Sequence, residues 1–308
     1  MRGAAITGWG VALPDRVVTN AEFEARLDTS DEWIVERSGI RERRFGGTTC
    51  GLAIEAGRRA LAKAGLAPTD VDLLMLSTST SDFSVPASSS VVQDGLGLQC
   101  GAFDLNAACS GFVYGLVAAH GFIGLGQERI LLIGADTLTR ITDQDDRGTA
   151  VLFADGAGAV VLEAVPGESP LLGYDLGADG SAKPILYADL GGYLYMEGRE
   201  VFRRAVRVTV DSAVAAMEQA KVSADDIALF VPHQANLRII DAVGQRLGIP
   251  LERTAVVLDR TGNTSSASIP LALADALDAG RVKPGDLVLF AGFGAGMTWA
   301  SAVLRWGG

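Results

Sequence analysis

The hydrophobic positions of this chain follow a pattern that is played twice. Residues 55–76 (EAGRRALAKAGLAPTDVDLLML) read as an amphipathic helix, a polar turn and an apolar strand. Residues 211–232 (DSAVAAMEQAKVSADDIALFVP) read the same way, without a gap, at a shift of 156 residues. Ala60 meets Ala216, Leu61 meets Met217, Asp70 meets Asp226 and Leu73 meets Leu229. The shift is about half of the 308-residue chain, so the pattern is one duplication and not a short-period solenoid.

Two further echoes extend the repeat. Residues 102–105 and 255–258 both read as short buried strands that pass through a small-residue turn into a long helix pattern, ending near Gly126 and Gly280. Registered on these strands, at a shift of 154, Cys109 falls on Asn263. Residues 153–158 (FADGAG) and 290–296 (FAGFGAG) are expected to open the last strand of each half. Alternating strands and helices predict an α/β protein with mostly parallel sheets and helices on their faces. Residues 165–170 (VPGESP) are the expected junction between an N-terminal half, 1–166, and a C-terminal half, 167–308. A catalytic centre is expected between the halves.

Composition narrows the class. Apolar residues make up 48% and aromatics 6%, a mix rich in Ala and Gly that suits close packing in a soluble protein and argues against disorder. A formal charge of −11 disfavours nucleic acid and anionic membranes, and an acidic partner would need a local basic patch. The three cysteines, Cys50, Cys100 and Cys109, are an odd number without metal-ligand spacing, which points to a reducing cytoplasm and to no metal site. The apolar stretch 3–10 reads as a first strand because Pro14, Asp15 and Arg16 follow it without a cleavage-site pattern. No uncharged apolar run reaches the roughly 18 residues that a membrane span needs.

Three residues carry candidate chemistry. Cys109 stands in Asn106-Ala107-Ala108-Cys109-Ser110-Gly111, a turn that runs into an apolar helix pattern. Unpaired N–H groups and partial positive charge at a helix start stabilise a thiolate, and the same N–H groups can hold an oxyanion. A small buried core cysteine is the competing reading. His233 follows the apolar strand 227–231, at a strand end where ligand-binding groups collect in α/β sheets, although a lone histidine also serves structure. Asn263 lies in Thr261-Gly262-Asn263-Thr264-Ser265, where capping the next helix is its alternative role. If the two halves face one another, a thiolate looks onto two neutral hydrogen-bond donors, a pair suited to a thioester oxygen gaining enolate charge. His120, about three helical turns beyond Cys109, reads as structural. The Gly-rich segments match neither a dinucleotide fingerprint nor a P-loop. Gly294-Ala295-Gly296 can instead bring backbone N–H groups near a substrate.

Taken together, Thr29-Ser30-Asp31-Glu32-Trp33-Ile34, Gly39-Ile40-Arg41-Glu42-Arg43, Ala107-Ala108-Cys109-Ser110-Gly111-Phe112, Asp146-Arg147-Gly148-Thr149, Pro232-His233-Gln234-Ala235-Asn236 and Gly262-Asn263-Thr264 form a specific set. With this set, over essentially its whole length, the chain resembles the β-ketoacyl-acyl carrier protein synthase III enzymes of the thiolase-like superfamily. The resemblance implies a thiolase-like duplicated α-β-α-β-α layered sandwich, assembled as a homodimer. It implies that Cys109 takes an acyl group from a coenzyme A thioester, a substrate and not a resident cofactor, with Cys109 and Ala295 N–H groups as the oxyanion hole. Malonyl-acyl carrier protein then loses CO2 while His233 and Asn263 stabilise the enolate, and the carbanion attacks the acyl group. By position, Trp33 would stack on adenine, and Arg37 and Arg147 would contact coenzyme A. Gly198, Phe202, Ala235 and Asn236 would line the pantetheine tunnel, and Gln234, Ala235, Asn236, Leu237 and Arg238 match the carrier-protein contact segment. Arg203, Arg238 and Arg246 are the candidate basic patch for an acidic carrier.

Departures from the pattern bear on specificity. The segment 180–198 is short and lies near the expected tunnel mouth, and Ser84-Val85-Pro86 stands where the family places a residue that limits the acyl pocket across the dimer. Ala295 replaces a glycine. Rival readings are a relative that passes its acyl group to a hydroxyl or amine or makes a polyketide starter, a biosynthetic thiolase, and a non-catalytic partner subunit. The retained His233 and Asn263 favour condensation, and Cys109 disfavours the partner subunit.

Overall fold

The computed structural model describes residues 2–307. The first half runs β1 (Gly3–Ala12), β2 (Val17–Thr19), α1 (Asn20–Glu24), α2 (Asp31–Ser38), β3 (Glu42–Arg44), α3 (Thr49–Ala64), β4 (Leu73–Ser77), α4 (Ser88–Leu96), β5 (Gly101–Leu105), α5 (Gly111–Gly124), β6 (Arg129–Thr137) and β7 (Asp155–Val165). The second runs β8 (Leu171–Ala178), β9 (Leu186–Ala188), β10 (Leu194–Met196), α6 (Gly198–Ala220), β11 (Ile227–Pro232), α7 (Leu237–Leu247), α8 (Leu258–Thr261), α9 (Ser268–Asp278), β12 (Leu287–Gly294) and β13 (Thr298–Arg305). The repeat at 55–76 and 211–232 is α3 to β4 echoed by α6 to β11, each with a 3-10 turn between helix and strand.

Two large sheets result, ordered β1-β7-β6-β4-β5 and β11-β12-β13-β8, beside the two-stranded pairs β2–β3 and β9–β10. They are mixed, which corrects the expectation of mostly parallel pairing: β4–β5, β4–β6 and β11–β12 are parallel, whereas β1–β7, β6–β7, β12–β13 and β13–β8 are antiparallel. The reason is the last connection of each half. No α-helix crosses the sheet between β6 and β7, and only residues 295–297 join β12 to β13, so the chain turns back beside the strand it has left.

The helices sort by their apolar faces. α5 and α9 are apolar nearly all round and fill the space between the sheets. Phe112 and Leu116 of α5 and Ile269 and Leu273 of α9 share one core with Leu132 and Val160 of the first sheet and Leu229 and Phe290 of the second. On the outer faces, Ala53, Ala56 and Ala60 of α3 pack on Leu74 and Ile133, while Ala213 of α6 and Val243 of α7 pack on Phe230 and Leu289. The small residues have a geometric purpose. A Cβ at Gly8 in β1 would strike the Ala60 carbonyl of α3, and a Cβ at Gly173 in β8 would strike the Ala216 carbonyl of α6. The same backbone-to-backbone contact is therefore made in both halves.

Two of the expected echoes are corrected. Residues 255–258 form no strand: Thr254 makes only an isolated bridge to Phe230, and Leu258 opens the one-turn α8. The side-chain amide of Gln234 replaces the missing ladder, donating to the Pro232 and Ala255 carbonyls and accepting from the Val257 N–H. Residues 153–158 do lead into β7, but Phe290 lies inside β12, paired with Ala302 of β13, so 290–296 closes one strand before the last begins.

Candidate active site

Both central helices are entered through a 3-10 turn, Ala108–Ser110 before α5 and Ser265–Ala267 before α9. Each turn begins with a non-glycine residue in the left-handed region, Ala108 at φ 48° and Ser265 at φ 52°. Two residues earlier stands an asparagine whose Oδ1 accepts that residue's N–H, Asn106 at 3.1 Å and Asn263 at 3.0 Å. This register, a shift of 157, equates Asn263 with Asn106 and Cys109 with Ser266. Cys109 and Asn263 are therefore not mirror residues. The two turns do face one another in contact, as the repeat predicts.

Each turn is fastened to the opposite half. The hydroxyls of Ser110 and Thr298 both donate to the Ala107 carbonyl, at 2.7 and 2.8 Å, tying the cysteine turn to β13. Asn263 is clamped in turn, its N–H donating to the Leu152 carbonyl and its carbonyl accepting from Ala154 N–H, both at 2.9 Å. With Oδ1 engaged by Ser265, the Asn263 Nδ2 has no partner among the described residues, and Asn263 lines the cavity.

His233 caps β11, with its N–H on the Ala291 carbonyl and its ring edge-on to Phe293 at 5.3 Å. Its Nδ1 lies 2.7 Å from Ser268 Oγ, the oxygen that also accepts the Gln234 N–H. When the serine proton is directed at Nδ1, the imidazole hydrogen stands on Nε2, the tautomer that can donate into the cavity. Burial lowers the His233 pKa to about 3, so the ring is neutral at physiological pH. Its mirror position is Ser77, packed close against Gly111 as His233 is against Ser268.

Cys109 lies on the cavity floor, part-buried and free. Burial pushes its thiol up to about 12, with the Ser265 hydroxyl pulling it down and the Asp136 charge pushing it further up. This reverses the expected lowering at a helix start. A helix terminus contributes at most about 2 kcal/mol, less than the roughly 4 kcal/mol that three pH units represent. The Cys109 side chain therefore rests as a neutral thiol at physiological pH.

The cavity holds about 1040 Å³ and gathers Cys109, His233 and Asn263 with Trp33, Arg37, Gly198, Phe202, Ala235, Asn236, Arg238 and Ala295. That volume is at the upper end for ligand sites and suits a long substrate. Ala295 has no left-handed φ, so alanine is tolerated where a glycine was the reference. Gly294 beside it is constrained: a Cβ there would come 2.5 Å from the Cys109 nitrogen. At the mouth, Arg37 and Arg147 each sit 5.0 Å from the Trp33 ring centroid, and Arg147 also donates to the Asp28 carbonyl. The short segment forms a β9–β10 hairpin over the opening, with Leu186, Tyr187 and Leu194 on the cavity and Leu190 and Tyr193 exposed.

Other predicted residues fall elsewhere. Gln234 is fully buried and structural, which removes it from any carrier-protein surface. Leu237 is partly buried against Ile40, and Asn236 caps α7 while its Nδ2 donates to the Arg37 carbonyl, tying α7 to α2. Arg238 is exposed at the rim over Phe202, Arg203 is exposed and paired with Glu200, and Arg246 is exposed in the last turn of α7; the latter two lie off the cavity lining. Val85 is exposed and outside this chain's cavity. Sequence reasoning missed Ser265 and Ser268, whose signal was the internal repeat in its correct register.

The chain is similar to known proteins over nearly its whole length. The model of 3-oxoacyl-[acyl-carrier-protein] synthase III matches residues 103–180, and that of its C-terminal part matches 217–306. The chain is 51% identical over 318 residues to the β-ketoacyl-[acyl-carrier-protein] synthase III of Erythrobacter litoralis, covering 98% of this chain and 99% of that one. It is 49% identical over 323 residues to the protein of the same name from Roseiflexus castenholzii, covering 98% of each. The crystal structure of 3-oxoacyl-[acyl-carrier-protein] synthase III from Aquifex aeolicus superposes with a TM-score of 0.97 at 44% identity, over 99% of this chain and all of that one. No helix among the described residues is long and apolar enough to cross a membrane. By sequence and fold alike, the chain belongs to the 3-oxoacyl-[acyl-carrier-protein] synthase III family.

Proposed function

We infer that the protein is a condensing acyltransferase that makes a 3-oxoacyl-acyl carrier protein, with Cys109 as the residue that carries the acyl group. The observation that supports this most is the pairing, in one cavity, of a thiol with two neutral N–H donors, His233 Nε2 and Asn263 Nδ2. In the first step the Cys109 sulfur attacks the thioester carbonyl of an acyl-CoA, the Cys109 and Ala295 N–H groups hold the oxyanion, and coenzyme A leaves with the proton. In the second, malonyl-acyl carrier protein loses CO2 and the C–C bonding electrons pass into its thioester as an enolate. His233 and Asn263 donate to the enolate oxygen. Its carbon then attacks the acyl carbonyl, and the Cys109 thiolate departs and recovers a proton.

A neutral imidazole fits this role, since the second step begins with loss of CO2 and requires no base. Coenzyme A is placed with its adenine at Trp33, between the guanidinium groups of Arg37 and Arg147, and its pantetheine along Gly198, Phe202, Ala235 and Asn236. The carrier protein is placed against Arg238, Arg203 and Arg246, basic points on an otherwise acidic molecule. The two halves, 1–166 and 167–308, act as one unit. β5 is the outer strand of its sheet, with Phe103 on Phe122 at 5.9 Å, and supports pairing of two copies along that edge.

The test offers a panel of acyl-CoAs, then malonyl-acyl carrier protein, and follows intact mass. An acyl adduct on Cys109 that chases into a 3-oxoacyl carrier product is expected. An adduct that passes instead to a hydroxyl or amine acceptor, or no adduct at all, contradicts the proposal.

A further inference from the structure

The internal symmetry that equates Cys109 with Ser266 also pairs their surroundings. Gly134 of β6 packs against the Ser266 carbonyl, and Gly292 of β12 against the Cys109 carbonyl. Two residues further along these strands stand Asp136 and Gly294. Gly294 presents bare backbone to the Cys109 nitrogen, which a Cβ there would approach to 2.5 Å, so no side chain of its own lies before that N–H. Asp136 fills the mirror space: its Oδ2 accepts the Ser266 N–H at 3.1 Å and the Ser266 hydroxyl at 2.6 Å.

The carboxylate is wholly buried and its other oxygen is equally engaged. Oδ1 accepts from Ser79 N–H at 2.8 Å, from the Ser79 and Thr78 hydroxyls at 3.1 Å and from Thr80 Oγ1 at 2.9 Å. A buried carboxylate with six donors is expensive to disturb, because any donor it loses is left unpaired in the interior. It joins the end of β4 to the turn that carries Ser265 toward the thiol and, through the Ser265 N–H, fixes Asn263.

We propose that Asp136 is the positioning residue for the second donor: its carboxylate occupies the mirror image of the oxyanion space and holds the Ser265–Ser266 backbone so that Asn263 faces Cys109. This rests on the condensing role inferred above. One half of the duplication thus gives this space to a substrate oxygen, and the other to a buried carboxylate of its own. Its charge also reaches Cys109, where it disfavours the thiolate.

Asp136→Asn keeps the size but removes the charge and turns an amide toward donors that need an acceptor. We expect condensation to fall roughly 10- to 100-fold, as for a displaced catalytic group, while acyl loading changes by less than about threefold. The pH profile of Cys109 alkylation by iodoacetamide should move to lower pH, because the charge that disfavours the thiolate is gone. Ser266→Ala removes one of the two tethers and none of the charge, so condensation should fall by a smaller factor with the alkylation profile unmoved. If Asp136→Asn fails to fold, Ser266→Ala decides: a loss confined to condensation upholds the proposal. Equal loss of loading and condensation in either variant, unchanged condensation in both, or an unmoved alkylation profile in Asp136→Asn overturns it. A wild-type enzyme that loads acyl groups but never condenses would instead overturn the functional reading, and the alkylation profile would still report the Asp136 charge.

Discussion

At Cys109 two effects oppose one another, and their magnitudes decide the resting state. Burial outweighs the helix start and holds the thiol near 12. Alkylation of Cys109 by iodoacetamide should therefore rise about tenfold per pH unit from 7 to 9 without levelling; a plateau below pH 8 would show a thiolate already formed. His120 gives a second residue-level prediction. Both its ring nitrogens lack a partner among the described residues, and burial lowers it from 6.5 to about 4. Between those values the unfolded chain binds a proton that the folded one refuses, so stability is complete above pH 6.5 and falls as pH drops toward 4, by about 3 kcal/mol. His233 adds a like loss that extends lower, toward 3. His120→Leu should keep its thermal midpoint at pH 7.5 and lose less of it at pH 5 than wild type; an equal loss at pH 5 would place the acid sensitivity elsewhere.

Among the elements, the approach of β12 to the turn before α5 sets the geometry of the first step. Gly294→Ala would drive a Cβ to 2.5 Å from the Cys109 nitrogen, with backbone on the receiving side. Acyl loading should fall by about 100-fold or more, measured as the rate of adduct formation; loading within a few-fold of wild type would contradict the assignment of that N–H to the oxyanion. The same elements show what was legible in the chain. The repeat at 55–76 and 211–232 was readable because an amphipathic helix and an apolar strand have strong periods. The register of the two turns before α5 and α9 was not, because it was hung on a strand at 255–258 that the Gln234 side chain replaces. Ala, Ser and Gly fit a turn in several registers, and only the left-handed Ala108 and Ser265 fix the right one. The antiparallel returns of β7 and β13 escaped notice for a related reason, since strand patterns carry no direction.

For the whole molecule, duplication explains both the packing and the site. Two halves meet through α5 and α9, and each lends the other's turn its fastening, Thr298 to Ala107 and Leu152 to Asn263. At this scale the β5 edge is the proposed contact between two copies. Sedimentation should give a dimer for the wild type, and Phe103→Asp should shift it toward monomer; a wild-type monomer would contradict edge pairing. The central claim is that loading and condensation use different residues in one cavity. Its most direct measurement is intact mass and CO2 release for His233→Ala supplied with acyl-CoA and malonyl-acyl carrier protein. Acyl-Cys109 should form at close to the wild-type rate while CO2 release falls by about 100-fold or more. Loss of acylation together with CO2 release, or CO2 release at the wild-type rate, would contradict the account.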